Sequence, residues 1–313
     1  MRTGEAASVP RKALVTGAGG FVGRRLVAAF REAGWEVVAA GRAADGGPAL
    51  DVTDAAAVRR LVDEARPDAV VNLAAIAHRK RERITADDYD AVNHRGVRHL
   101  LDAARAAGVA RFVQFSSASV YGEEGRTAPV REDDPRRPVG PYALSKARAE
   151  DACLAVEGME VAVLRFPALY APGWVLDVRK RAYLPGTRVL LEITGADAPR
   201  HSLCALEHAV RFARLAADGT AAPGVYNVAD AAPYAQGEVA DVVGALDGVR
   251  RRVRVPGGAA ALPLLAARLV PGGVGRQVRS HAWKLLRGQV LDTARAAAAG
   301  FTPTGRLRDL LAS

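Results

Sequence analysis

The run Ala13-Leu14-Val15-Thr16-Gly17-Ala18-Gly19-Gly20-Phe21-Val22-Gly23 constrains what this chain can fold into more than any other stretch. A short apolar segment leads directly into Gly17, Gly20 and Gly23, and a helical pattern follows to about Ala33, closed by Gly34. Gly17 permits a tight turn, and Gly20 lets backbone N–H groups approach a pyrophosphate. Gly23 permits close helix–strand packing, while the helix N-terminus supplies positive potential. Phe21 and Val22, in the first helical turn, belong to the same phosphate-facing end. A glycine-rich turn that merely packs is the alternative, and the correct register with both a strand and a helix argues against it.

The same alternation continues. Glu36 to Ala40, Ala69 to Leu73, Arg111 to Phe115 and Val161 to Arg165 read as strands, with a helix expected over Asp90 to Ala107 and another bearing Tyr142 and Lys146. Continuous apolar strands alternating with helices are the pattern of a parallel sheet covered on both faces. The expected fold is therefore α/β, a Rossmann-type doubly wound parallel sheet with a smaller C-terminal substrate-binding lobe. Residues 11–165 form the dinucleotide-binding domain, with a returning segment near 223–242 that includes the strand Val225 to Val228. Past Phe166 the pattern loosens at Pro167, Pro172, Gly173, Pro185 and Gly186, so 166–222 and 243–313 are assigned to the second lobe and 1–10 to a tail.

Composition excludes more than it selects. The two cysteines, Cys153 and Cys204, lack ligand spacing, so neither a metal site nor a disulfide framework is expected, and a cytoplasmic location follows. Residues 1–10 lack the apolar core of a signal, and the apolar stretch Ala259 to Val270 is too short to span a bilayer. The net charge of +10 comes from scattered arginines without an aromatic–basic stripe, which argues against nucleic acid and leaves room for an anionic substrate.

Two further features carry chemistry. After the second strand stands Ala40-Gly41-Arg42, where an NAD site usually offers a carboxylate to the ribose. Arg42 is suited to clamp a 2′-phosphate, with Arg24 as a helper, and NADPH is favoured over NAD; a solvated surface arginine is the competing reading. Downstream, Tyr142-Ala-Leu-Ser-Lys146 puts a phenol and an ammonium four residues apart on one helix. The cation favours the phenolate and moves a pKa near 10 toward the working range.

In sequence order these pieces resemble the extended short-chain dehydrogenase/reductases, the nucleotide-sugar epimerases, dehydratases and ketoreductases. The matching segments are Thr16 to Gly23, Asp51-Val-Thr-Asp54, Asn72-Leu-Ala-Ala75, Asn93, Ser116-Ser-Ala-Ser-Val-Tyr-Gly122, Tyr142 to Lys146, Leu164-Arg165, Tyr170-Ala-Pro-Gly173, Arg200-His-Ser-Leu203 and the closing Gly300-Phe-Thr-Pro303. The resemblance implies that Asp51 and Val52 sit at the adenine and that Leu73, Ala74, Ala75 and Phe166 line the cofactor channel. It implies that Asn93 braces the central helix and sheet at the cofactor, and that Ser117, Tyr142 and Lys146 form the catalytic set. Arg200 matches an arginine that contacts the sugar-nucleotide diphosphate. His78 and Ser119 border the substrate, and a homodimer is expected.

Departures from the family pattern narrow the chemistry. Where 4,6-dehydratases carry an acidic pair after the catalytic threonine, this chain has Ala118 and Ser119. Pro167-Ala168-Leu169 replaces an asparagine-bearing segment of many epimerases. The expectation is NADPH-dependent reduction of a 4-keto nucleotide sugar, UDP- or dTDP-linked, to the 4-hydroxy sugar. The alternatives are an NAD-dependent 4-epimerase and a non-catalytic Rossmann protein that senses redox state or scaffolds a complex.

Overall fold

The computed structural model of the protein describes residues 11–42, 46–77, 84–122, 128–257 and 282–312. In chain order, β1 (Lys12–Thr16), α1 (Phe21–Glu32), β2 (Glu36–Ala40), α2 (Ala55–Ala65) and β3 (Ala69–Asn72) alternate as the sequence predicts. They are followed by α3 (Ala86–Asp90), α4 (Gly96–Ala106), β4 (Arg111–Ser117), α5 (Gly140–Leu154) and β5 (Glu160–Phe166). Then come β6 (Ala168–Tyr170), α6 (Leu176–Arg179), β7 (Leu190–Thr194), β8 (Arg200–His201) and β9 (Leu203–Ala205). The series continues with α7 (Leu206–Ala217), β10 (Gly224–Asn227), β11 (Tyr234–Ala235), α8 (Gln236–Asp247) and β12 (Arg252–Pro256).

Six strands form the central parallel sheet in the order β10-β5-β4-β3-β1-β2. Sequence order reverses between β1 and β3, the switch point outside which doubly wound sheets bind ligands. An isolated parallel bridge, Gly41 to Ala49, continues the pairing beyond β2. Every residue of β3 is buried, as is every residue of β1 after Lys12, which is why these strands read as unbroken apolar runs. The chain divides into two compact units, one of Met1–Phe115, Leu144–Val163 and Ala213–Gly224, the other of Ser116–Ala143, Leu164–Phe212 and Val225–Ser313.

Within the first unit, local chemistry sets the helix ends. Asp54 caps α2 by accepting from the N–H groups of Ala56 and Ala57. Thr85 and Asp88 form a reciprocal capping box at α3. The single helix expected over Asp90 to Ala107 is instead two α-helical pieces joined by a π-helical turn, Ala91–Arg95. The wider turn carries the buried Asn93 side chain back to the exit of β3, where it accepts from Ile76 N at 2.7 Å and donates to Ile76 O at 3.0 Å. A side chain that bonds to neighbouring backbone at this depth explains the bulge, which periodicity alone does not reveal.

The second unit is organised around a buried carboxylate. Asp230 Oδ1 accepts from Ala205 N (2.8 Å) and His208 Nδ1 (2.7 Å), and Oδ2 accepts from the phenols of Tyr170 (2.7 Å) and Tyr234 (2.9 Å). Both tyrosines are fully buried and belong to an apolar cluster with Val178, Leu190, Leu203 and Val239. Four donors on one carboxylate replace the water lost on burial. Asp230→Ala strips the acceptor from all four, and is expected to lower the unfolding free energy by about 3–5 kcal/mol. Chemical denaturation checks this, and a loss under about 1 kcal/mol would mean that the network contributes little.

Candidate active site

The glycine loop has the geometry its sequence predicts. Gly17 adopts φ +70°, and a Cβ there would lie 2.8 Å from Ala74 N and from Leu73 C. A Cβ at Gly23 would come within 2.3 Å of Gly17 O. The first position thus needs glycine for both its backbone conformation and its packing against the exit of β3, and the second needs it to bring α1 onto the turn. Gly20 is the N-cap of α1, with no side-chain cap, and the first turn holds no acidic residue. That helix end keeps its positive potential for a ligand.

A cavity of about 300 Å³ opens at this loop. Gly17, Gly20, Arg42, Asp51, Val52, Leu73, Ala74 and Ala75, all expected from the sequence, line it. Leu50 and Val92 line it too and were missed: Leu50 follows the Gly41 to Ala49 bridge, and Val92 faces inward because of the π turn. Phe21, Val22 and Gly23 sit in the first turn of α1. The expected helper Arg24 directs its Nε to Gly19 O at 3.2 Å. Asp51 Oδ1 is held by Thr53 N and Oγ1 at 2.9 and 2.8 Å, while Oδ2 has no such tie among the described residues. The narrow glycine cradle, the uncapped helix end and the apolar walls together fit a dinucleotide.

Asn93 spends its amide on the protein: besides Ile76 it donates to Ser145 Oγ at 3.1 Å, tying the exit of β3 to α5. Helix α5 carries Tyr142, half-buried, and Lys146, 4 % exposed, one turn apart. Lys146 Nζ donates to Phe115 O on β4 at 2.8 Å. Burial pushes this ammonium down to about 8, opposed by the Glu150 carboxylate four residues on. Below that pH the site holds a buried positive charge, and it loses that charge within the range where enzymes work.

In the second unit, Ser117 caps a 3-10 turn, Ala118–Tyr121, its Oγ accepting from Ser119 N at 3.2 Å. Ser119 Oγ is buried and has no hydrogen-bond partner among the described residues, which marks it as a group able to take a ligand or water. The turn is fixed from behind. Arg165 Nη1 donates to Tyr121 OH and to Glu132 O, both at 2.8 Å, and the Tyr121 phenol donates to Asn227 Oδ1 at 2.7 Å. Asn227 in turn takes its N–H to Glu132 Oε1 at 2.9 Å. None of Tyr121, Glu132 and Asn227 was singled out as a support in the sequence, although Tyr121 and Arg165 lie in its motifs.

Phe166, at the end of β5, is buried. Arg200 is exposed and donates to Pro233 O at 3.0 Å, with Gly288 packed so closely that a Cβ would lie 2.2 Å from Arg200 O. His78 lies outside the described residues. Among the described residues there is no group of three or more histidine, cysteine, aspartate or glutamate side chains that could hold a metal ion, and no helix is long and apolar enough to cross a membrane.

Residues 13–229 match the model of the NAD dependent epimerase/dehydratase family. The chain is 36% identical over 217 residues to a dTDP-4-dehydrorhamnose reductase of Streptomyces griseus, covering 68% of this chain and 69% of that protein. It is 34% identical over 162 residues to methionine adenosyltransferase 2 subunit beta of Xenopus tropicalis, covering 51% of this chain and 47% of that one. Among solved structures, MoeE5 in complex with UDP-glucose and NAD superposes with a TM-score of 0.71 at 27% identity, covering 96% of both chains. A glycine cradle at the sheet's switch point, a Tyr-x-x-x-Lys helix with its lysine buried, and a family match over most of the chain agree. This protein belongs to the NAD-dependent epimerase/dehydratase family, the extended short-chain dehydrogenase/reductases, and is an enzyme of the oxidoreductase type.

Proposed function

We propose that this enzyme reduces a 4-keto nucleotide sugar to the 4-hydroxy sugar, with NADPH as the dissociable reductant. The observation that carries the reading is the buried Lys146 ammonium, anchored on Phe115 O one helical turn from the Tyr142 phenol. That pair needs a proton-transfer role to justify burying a charge. The relative named for dTDP-4-dehydrorhamnose reduction, matched over two thirds of each chain, supports a ketone as the substrate. MoeE5, bound to UDP-glucose and NAD, supports a nucleotide sugar.

A dinucleotide held at the glycine loop and against Leu73, Ala74 and Ala75 would supply the hydride that the ketone carbon takes. The chain's own groups do the rest. The Ser117 hydroxyl donates to the ketone oxygen and orients it. The Tyr142 phenol gives its proton to that oxygen as charge develops there, and Lys146 stabilises the tyrosinate left behind until solvent restores the proton. Arg42, exposed at the rim of the cavity, takes the 2′-phosphate that an acidic residue at this position would repel. Ala118 and Ser119 offer no carboxyl pair to remove water across the sugar, so elimination is disfavoured. Epimerisation uses the same three residues with a retained NAD, and NAD in MoeE5 keeps that second reading open.

Tyr142→Phe should lower turnover on a 4-keto dTDP- or UDP-hexose by roughly 10²–10⁴-fold with dinucleotide affinity kept. Full turnover in that variant would remove Tyr142 from the mechanism. In fluorescence titrations the wild type should prefer NADPH to NADH, and Arg42→Asp should abolish the preference. Tightly held NAD, copurifying and indifferent to Arg42, would instead select the epimerase.

The Lys146 charge also ties activity to stability in opposite directions. Its folded pKa is depressed below the ordinary lysine value of 10.5, so between about pH 8 and 10.5 the unfolded chain binds the extra proton and this group's contribution rises with pH. Relative to Lys146→Met, the wild type should therefore gain on the order of 2–3 kcal/mol of stability between pH 7 and pH 10. Turnover should fall over the same interval. Parallel stability curves for the two proteins would contradict the assignment.

A further inference from the structure

The carbonyl that anchors Lys146 has a second donor. Gln114 Nε2 donates to Phe115 O at 2.9 Å, and Gln114 Oε1 accepts from Asn72 Nδ2 at 2.8 Å. Asn72 Oδ1 accepts from Thr16 Oγ1 at 2.5 Å and from Ala74 N at 3.1 Å. Thr16 pairs with Asn72 across β1 and β3, and Asn72 with Gln114 across β3 and β4, so the three side chains form one row across the sheet. All three are buried, none more than 1 % exposed.

The direction of this row is fixed at both ends by backbone groups. Ala74 N–H can only donate, so the Asn72 oxygen faces it and the Asn72 nitrogen faces Gln114. Phe115 C=O can only accept, so the Gln114 nitrogen faces it. The positive end of the Gln114 amide therefore rests on the same oxygen that receives the Lys146 ammonium. Three apolar side chains would remove both partners of the Thr16–Asn72 and Asn72–Gln114 bonds, which is close to neutral, and would leave only the part-buried Ala74 N–H without its acceptor. Central parallel strands are ordinarily apolar throughout. A polar row that ends on the catalytic lysine's acceptor calls for a role beyond packing.

We propose that Gln114, backed by Asn72 and Thr16, is a positioning residue that acts on Lys146 through the Phe115 carbonyl, weakening that oxygen's hold so that the ammonium is free to serve the phenol one turn away. The inference rests on the catalytic roles given above to Lys146 and Tyr142. Among the described residues, the titratable groups acting on Lys146 are Glu150 and Cys153 of its own helix, the thiol being pushed up by burial. Strand β4 meets Lys146 through neutral dipoles, the Phe115 carbonyl with the Gln114 amide upon it. The Asn93 amide and the Ser145 hydroxyl, which meet beside α5, are neutral as well.

The test reads the lysine directly. The chain has five lysines, at 12, 80, 146, 180 and 284, few enough for carbon-13 labelling at Cε and titration by NMR, with Lys146→Arg assigning the resonance. Removing the Gln114 donor with Gln114→Met should let Phe115 O hold the ammonium more firmly. The midpoint should rise by half a unit or more, about a threefold gain in proton affinity. An unchanged midpoint in a folded Gln114→Met protein would overturn the proposal and leave the row a packing feature. Should that variant not fold, Asn72→Ser, which frees the Gln114 amide while keeping a hydroxyl for Thr16, should shift the midpoint in the same direction. No shift there overturns the proposal equally. The titration needs no substrate: a shifted midpoint in a protein inactive on every 4-keto sugar would sustain the positioning role and refute the proposed reaction.

Discussion

Burying an ammonium against a single strand carbonyl is the constraint around which this site is built. Desolvation of a lysine costs far more than one hydrogen bond returns. The fold meets that cost with a carboxylate four residues along α5 and with a backbone oxygen that the sheet holds rigid. In exchange the charge stands one helical turn from the Tyr142 phenol, as the proposed proton transfer requires, rather than where water would screen it. The π turn, the Asn93 side chain and its bond to Ser145 belong to the same arrangement, since they fix the helix that carries both Tyr142 and Lys146.

The two serines are held by different means. Ser117 and Ser119 ride on a short 3-10 turn that has too few backbone bonds to be rigid alone. Arg165 supplies what the turn lacks, stacking its guanidinium 4.9 Å over the Tyr121 ring while donating to that residue's hydroxyl. A flexible motif is thereby set by a buried cation–π contact and a ring of satisfied polar groups. The Ser119 hydroxyl stands out against this background, being one of four buried side-chain polar atoms among the described residues that have no hydrogen-bond partner.

Much of this was legible in the sequence, for physical reasons that can be stated residue by residue. Gly17 and Gly23 were readable because steric exclusion leaves one residue type at each position. The strands were readable because burial on both faces demands continuous apolar runs. Tyr142 and Lys146 were readable because helix geometry places residues four apart on one face. The break in the helix at Ala91 was not, since one extra residue leaves the apolar periodicity nearly intact over a short window. Neither was the Thr16-Asn72-Gln114 row, whose members lie 56 and 42 residues apart in sequence and meet only through strand register. The Asp230 hub was hidden for the same reason: its partners come from three stretches of chain, at Tyr170, at Ala205 and His208, and at Tyr234.

The π turn also sets a rule of phase. Each residue added to or removed from a helix rotates everything beyond it by about 100° around the axis. Helix α4 begins directly after the turn and buries Val97, Leu100, Leu101 and Ala104 along one stripe, while Gly96 meets Val52 so closely that a Cβ would lie 2.7 Å from its Cγ2. Deleting one residue from 91–95 would let the wide turn close to an ordinary α-helical one with that stripe still in phase, losing the bulge that carries Asn93 to Ile76. Deleting one from α4 itself would instead turn part of the stripe away from the core. The five residues of the turn therefore hold one residue of slack, which the phase of the helix does not need and the placement of Asn93 does.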